Sequence, residues 1–188
     1  MRLALVALLL CVASSLAGAA ELTLFDVTLK TATRGAIRSG IEAAGGVLRS
    51  SKGSTDIFDA TRIPLPGARS LEVVYLNGVL VMAQYALRAD MKAEERLRKM
   101  LVEKYGQPTA ESSFASRNQF DGEYVMDGKY RWLFDGGMSL IFKKEFGFDS
   151  PTYLTYLNTE QEAKLEAIVK DADRRSVKKE AEAKGKVF

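Results

Sequence analysis

Across 188 residues the chain carries 27 Lys and Arg against 24 Asp and Glu, with a single cysteine, Cys11, and no histidine. That inventory closes off most metal and nucleophile chemistry, because zinc, copper and haem sites draw on His and Cys ligands and a serine-hydrolase triad normally uses His as its base. A formal charge of +3, with no basic stripe interleaved with aromatics, gives no sign of a nucleic-acid partner.

Residues 1–20, MRLALVALLLCVASSLAGAA, combine Arg2, an apolar run from Leu3 to Val12 and small residues through Ala17-Gly18-Ala19. These are the three regions of a secretory signal peptide. The apolar run is shorter than the ~20 residues of a spanning helix, so cleavage after Ala19 or Ala20 is expected, with no transmembrane segment left behind. The expected location is periplasmic or secreted. Cleavage also removes Cys11, so the fold must rest on its hydrophobic core without disulfides. The remaining residues suit one domain.

Leu22, Leu24 and Val27 suggest a short entry strand. Thr33 is placed to cap a helix running to Ala44, with Ile37 and Ile41 on one face and Gly45-Gly46 as its stop; Gly35 and Gly40 within it count against the helix or else mark close packing against a sheet. SSKGS, residues 50–54, reads as a loop or hairpin tip before the strand DIFDAT. IPLPGARS, with two prolines, reads as a connection. In SLEVVYLNGVLVMAQYAL two β-rich runs flank Asn77-Gly78, the pair that suits both central positions of a type I′ hairpin turn. Asp90 is the cap of a second helix, MKAEERLRKMLVEKYG, in which Leu97, Met100, Leu101 and Tyr105 recur at helical spacing and Gly106 and Pro108 end it. Residues 110–122 read as a polar connector. Strands are expected near Tyr130 to Asp135 and Met138 to Glu145, and TYLTYL after Pro151 forms a last one. Thr159 and Glu162 make an S/T-x-x-E capping box for a charged C-terminal helix, expected to fray after about residue 175.

An offset of sixty residues lays Ile37 on Leu97, Arg38 on Arg98, Ile41 on Leu101 and Gly46 on Gly106. An offset of fifty-nine lays Asn77-Gly78 on Gly136-Gly137 and Val79, Val81 and Ala83 on Met138, Leu140 and Phe142. The expectation is therefore an α+β fold of two tandem αβββ units, about 33–86 and 90–145, within one domain spanning 21–158. They form a mainly antiparallel sheet with helices on one face, followed by the helix and tail of 159–188. This arrangement, with helices closing as in VEKYGQP and hairpins following, resembles the β-lactamase-inhibitor-protein group and, more loosely, the SmpA/OmlA outer-membrane assembly lipoproteins. The resemblance implies a small exported module that binds another protein through an open sheet face.

KYRWLFDGGMSLIFKK, residues 129–144, is the densest aromatic stretch. Trp, Tyr and Arg dominate binding hot spots, which makes Tyr124, Tyr130, Arg131, Trp132, Tyr153 and Tyr156 the candidate binding residues, with Trp132 expected to face the core or its edge. No catalytic residue, metal ligand or cofactor is assigned. The expected function is an exported, non-catalytic binding or accessory protein whose partner is another exported or envelope protein. One alternative is a small-ligand or peptide carrier with a pocket between helices and sheet. A carboxylate-dependent hydrolase would need a converging pair, for which Asp56 with Asp59, Asp121 with Glu123, and Asp127 with Asp135 are the candidates.

Overall fold

The structure, a computed structural model, describes residues 21–88, 90–117, 124–144 and 151–185. The signal segment, Asp121, Glu123 and Glu145 lie outside them, as do the side chains of Tyr124 and Asp127. The fold is α+β. A small ribbon of β1 (Thr23–Leu24) and β2 (Val27–Thr28) precedes α1 (Arg34–Ala43) and four strands, β3 (Val47–Lys52), β4 (Thr55–Asp59), β5 (Ala68–Leu76) and β6 (Val79–Leu87). Helix α2 (Met91–Tyr105) leads into β7 (Ala110–Arg117), β8 (Tyr124–Phe134), β9 (Met138–Lys144) and β10 (Thr152–Asn158), and α3 (Thr159–Gly185) follows. The eight strands from β3 onward form one antiparallel sheet in the order β3-β4-β5-β6-β10-β9-β8-β7.

Each of α1 and α2 is thus followed by a four-stranded meander rather than three strands, and the two meanders meet where β6 pairs with β10. The strand order is symmetric about that seam. It matches β5–β6 with β9–β10, whereas the sequence offset matches β5–β6 with β8–β9, one strand further out.

Local chemistry accounts for the helix ends. The Thr33 hydroxyl accepts from the Ala36 amide and the Asp90 carboxylate from the Ala93 amide, each satisfying an orphan donor of a first turn. Helix α1 closes in a Schellman motif, with Gly45 N–H donating to the Glu42 carbonyl and Gly46 N–H to that of Ile41; a Cβ on Gly46 would stand 2.4 Å from the Ile41 side chain. Gly40 packs closely too, against Val27 and Phe25 of the entry ribbon rather than the large sheet. At the β5–β6 turn, Asn77 and Gly78 have φ of 51° and 80°, the pair of left-handed residues a type I′ turn demands.

Strand alternation divides the sheet into two unlike faces. Across one face, register aligns Phe58, Leu71, Tyr85, Leu154, Phe142 and Tyr130 in one row, and Asp56, Val73, Ala83, Tyr156, Leu140 and Trp132 in the next. Ile37 and Ile41 of α1 and Leu97 and Leu101 of α2 join them in a single core cluster. On the distal face, Thr155, Leu157 and Ser139 are buried at the centre, where α3 packs against β6 and β10.

Three segments depart from the sequence-based expectation. Residues 110–117 are not a connector but β7, paired in unbroken register with β8. Strand β3 begins at Val47, before the expected hairpin tip. Asn158, not Thr159, caps α3: its side-chain oxygen accepts from the Gln161 amide, while the Thr159 hydroxyl donates to the Gly137 carbonyl. Helix α3 runs to Gly185, and no helix among the described residues is long and apolar enough to cross a membrane.

Candidate functional site

The predicted binding residues do not share one surface. Trp132 is 2% exposed and donates from Nε1 to the Gly106 carbonyl at 2.8 Å, which places it in the core beneath the end of α2. Tyr156 is buried on the same face, and its hydroxyl is pushed up well above its ordinary pKa by burial. Tyr130, on that face but half-buried, stacks on Phe142 with centroids 6.1 Å apart and lies under the Arg98 guanidinium. Tyr124 opens β8. Trp132 and Tyr156 are thus core residues and Tyr130 is partly covered, because these positions of β8 and β10 point at α1 and α2, where aromatic area goes into core packing. Trp132 facing inward agrees with the sequence reading.

Arg131 and Tyr153 have the opposite parity and lie on the distal face. Register sets Arg131 beside Ile141, Leu133 beside Ser139, and Lys129, Lys143 and Tyr153 in one row. Leu133 is 56% exposed, the largest value among the exposed large apolar residues. Lys129 and Lys143 are exposed, and Arg131, Ile141 and Tyr153 are half-buried. The Nε of Arg131 is buried without a hydrogen-bond partner among the described residues. Leu133 thus sits at the turn end of this face with Arg131 beside it and the Lys129–Lys143 pair a further row away, on the β8–β9 wing of the sheet. Sequence reasoning missed Leu133, Lys129 and Lys143. The available signal was alternation: once Trp132 is assigned inward, residues 129, 131 and 133 must face out.

A second cluster ties α1 to the sheet. Asp56 is fully buried, and its two oxygens accept from Nε and Nη2 of both Arg34 and Arg38, at 2.6–3.0 Å. The Ser51 hydroxyl takes a further contact from each arginine, and Arg34 also donates to the Gly53 carbonyl and stacks over the Tyr75 ring. Burial alone would raise the Asp56 pKa, but the hydrogen bonds from Arg34 and Arg38 outweigh it and hold the carboxyl well below the usual carboxylate range. Tyr75 is pushed up, first by its burial and then by the Asp56 charge.

Asp59 faces away from Asp56, since three residues along a strand reverse the side. The Thr61 hydroxyl and amide together with Arg49 lower its pKa. Both carboxylates are therefore kept ionised, each by its own partners, on opposite sides of β4. They do not form the shared-proton or acid-and-base pair that a glycoside hydrolase uses. Beside Asp59 lies a hollow of about 290 Å³ lined by Val47, Arg49, Asp59, Thr61 and Arg62. It sits at the sheet edge, is not the helix–sheet cavity expected of a carrier, and has no aromatic wall. Among the described residues no group of three or more His, Cys, Asp or Glu is positioned to hold a metal ion.

Comparison of the chain with protein-family models, curated proteins and solved structures gives no match.

Proposed function

We propose that this chain is an exported, non-catalytic binding protein that engages another exported or envelope protein through the distal face of its sheet. The observation that carries the reading is Leu133, more than half exposed at the turn end of β8, with Arg131 next along the same face and Lys129 and Lys143 one row beyond it. A large apolar side chain held out of a rigid sheet at one end of a row of cations fits a partner surface that is apolar on one side and acidic on the other. The signal-like residues 1–20 support export. The locked, mutually averted Asp56 and Asp59 support binding over hydrolysis. The carrier alternative has less support, because the hollow at the sheet edge is lined by side chains already paired with each other.

The test is crosslinking affinity purification of the exported protein, comparing the native chain with Leu133→Asp and with Lys129→Glu/Lys143→Glu. These residues are exposed, so folding stability should stay within about 0.5 kcal/mol, checked by urea midpoint. Loss of one specific partner in both variants is expected. A partner list unchanged in both variants would remove the distal face as the binding surface.

A further inference from the structure

Helix α3 spends little of its length on the sheet. It is 27 residues long, about 40 Å at 1.5 Å per residue, and the strands it packs against are β6 and β10. Its apolar residues Leu165, Ile168, Val169 and Ala172 follow the i, i+3, i+4, i+7 spacing of one helix face. Leu165 is half-buried, yet Ile168 and Val169 are 53% and 51% exposed and Ala172 is exposed. The stripe therefore turns to solvent after its first residue.

Charge along the same helix is segregated. Residues 159–173 carry five acidic side chains (Glu160, Glu162, Glu166, Asp171, Asp173) against Lys164 and Lys170, a net of −3. Residues 174–185 carry five basic ones (Arg174, Arg175, Lys178, Lys179, Lys184) against Glu180 and Glu182, a net of +3. Complementing the helix dipole would need this bias only in the first and last turns. Here the change of sign falls mid-helix, between Asp173 and Arg174. The ion pairs Lys170–Glu166 and Arg175–Asp171 lie within the helix and leave the segregation of the two halves in place.

A parallel neighbour of the same kind would set like charges side by side along the whole length. An antiparallel one sets −3 against +3 twice, while its apolar stripe meets this one near Ala172. We propose that α3 is a self-association element that pairs antiparallel with α3 of a second copy of this chain, in a two-fold symmetric contact. Ala172 lies nearest its two-fold centre, and Ile168 and Val169 flank it one turn out, where the aliphatic stems of the partner's arginines and lysines cover them. This proposal is independent of the sheet-face reading, since Leu133 and its neighbours lie elsewhere.

Sedimentation equilibrium on the processed chain, up to about 200 µM so that a complex of micromolar Kd is well populated, should show a monomer–dimer equilibrium. Ile168→Glu/Val169→Glu should abolish the dimer with unchanged far-UV circular dichroism. In 1 M salt, where the Debye length is about 3 Å, the native Kd should rise roughly fivefold or more. A nitroxide on Lys164→Cys should report an inter-chain separation of about 25–30 Å, the axial distance between equivalent sites in an antiparallel pair meeting near the charge boundary. A monomer at every concentration, a dimer indifferent to Ile168→Glu/Val169→Glu, or a short separation typical of parallel helices would each overturn the proposal.

Discussion

Helices α1 and α2 stand at matching places in the two halves of the sheet, yet they are fastened by different chemistry. At α1 the joint is ionic: two arginines one turn apart converge on one buried carboxylate, and the sequence offset that pairs the helices lays Arg38 on Arg98. At α2 that second arginine forms no ion pair within hydrogen-bonding reach of an acid among the described residues and instead lies over the Tyr130 ring. The joint there is aromatic, with Trp132 bonded to the Gly106 carbonyl and Tyr105 set edge-on to Phe134 at 5.3 Å. Its polar tie is at the other end of the helix, where Glu94 accepts from Thr152 and Lys144. The contrast shows how one architecture tolerates an interchange of packing types. A buried polar joint gains specificity of register at the risk of a bare charge, whereas an aromatic joint gains area.

Removing the centre of each joint should separate them. Trp132→Ala is expected to cost the most, about 3–5 kcal/mol, because it opens a cavity and leaves the Gly106 carbonyl without its donor; urea midpoints measure it. Asp56→Ala should cost about 3 kcal/mol, the low end for breaking a buried pair, since both guanidiniums are about a third exposed and can regain water.

The Asp56 cost carries a pH signature that the tryptophan cost lacks. The folded pKa of Asp56 is depressed from an unfolded value near 3.9. Its contribution is therefore complete above about pH 5 and declines as pH falls toward the folded pKa. The gap in stability between the native chain and Asp56→Asn should stay level from pH 6 to about pH 5 and then narrow down to pH 2.5, while the Trp132→Ala gap should not follow that curve. An Asp56→Asn gap constant over this range would mean that the carboxylate charge does not fasten α1. The smallest effect belongs to Arg98→Ala, at about 0.5–1 kcal/mol for an exposed cation–π contact. A loss as large as that of Asp56→Ala would show that the α2 joint is also ionic at heart.

How much of this was legible in the residues depends on how local the cause is. The Thr33 and Asp90 caps, the glycine stops of α1 and α2 and the Asn77-Gly78 turn were readable, because each is decided within a few residues by hydrogen bonding or positive φ. Strands β3 and β7 were not. Both are the outermost strands of the sheet, and VLRSSK and AESSFASR lack the apolar alternation that marks a strand with one covered face; pairing with β4 and β8 makes them strands. The Asp56 joint was missed for a related reason. An acid alternating in register with Phe58 marks a core position in need of cations, and Arg34 and Arg38 supply them, but only the fold brings residues 34 and 56 together. The split of the aromatic candidates between faces needed only parity, once Trp132 was assigned inward.

The seam between the halves has a consequence for how the molecule is made. Strand β10 is the last to be synthesised yet lies near the middle of the sheet, between β6 and β9. Its side chains reach partners some seventy positions earlier, as in the bond from Gln84 to Thr155. Until residue 158 has emerged, β6 and β9 both expose raw edges, and no sheet spans the two meanders. Contacts of such wide sequence separation slow folding, and unpaired edges invite aggregation while it waits. On the export route proposed above, a chain entering the membrane from its N-terminus would complete its sheet only once β10 had followed it across.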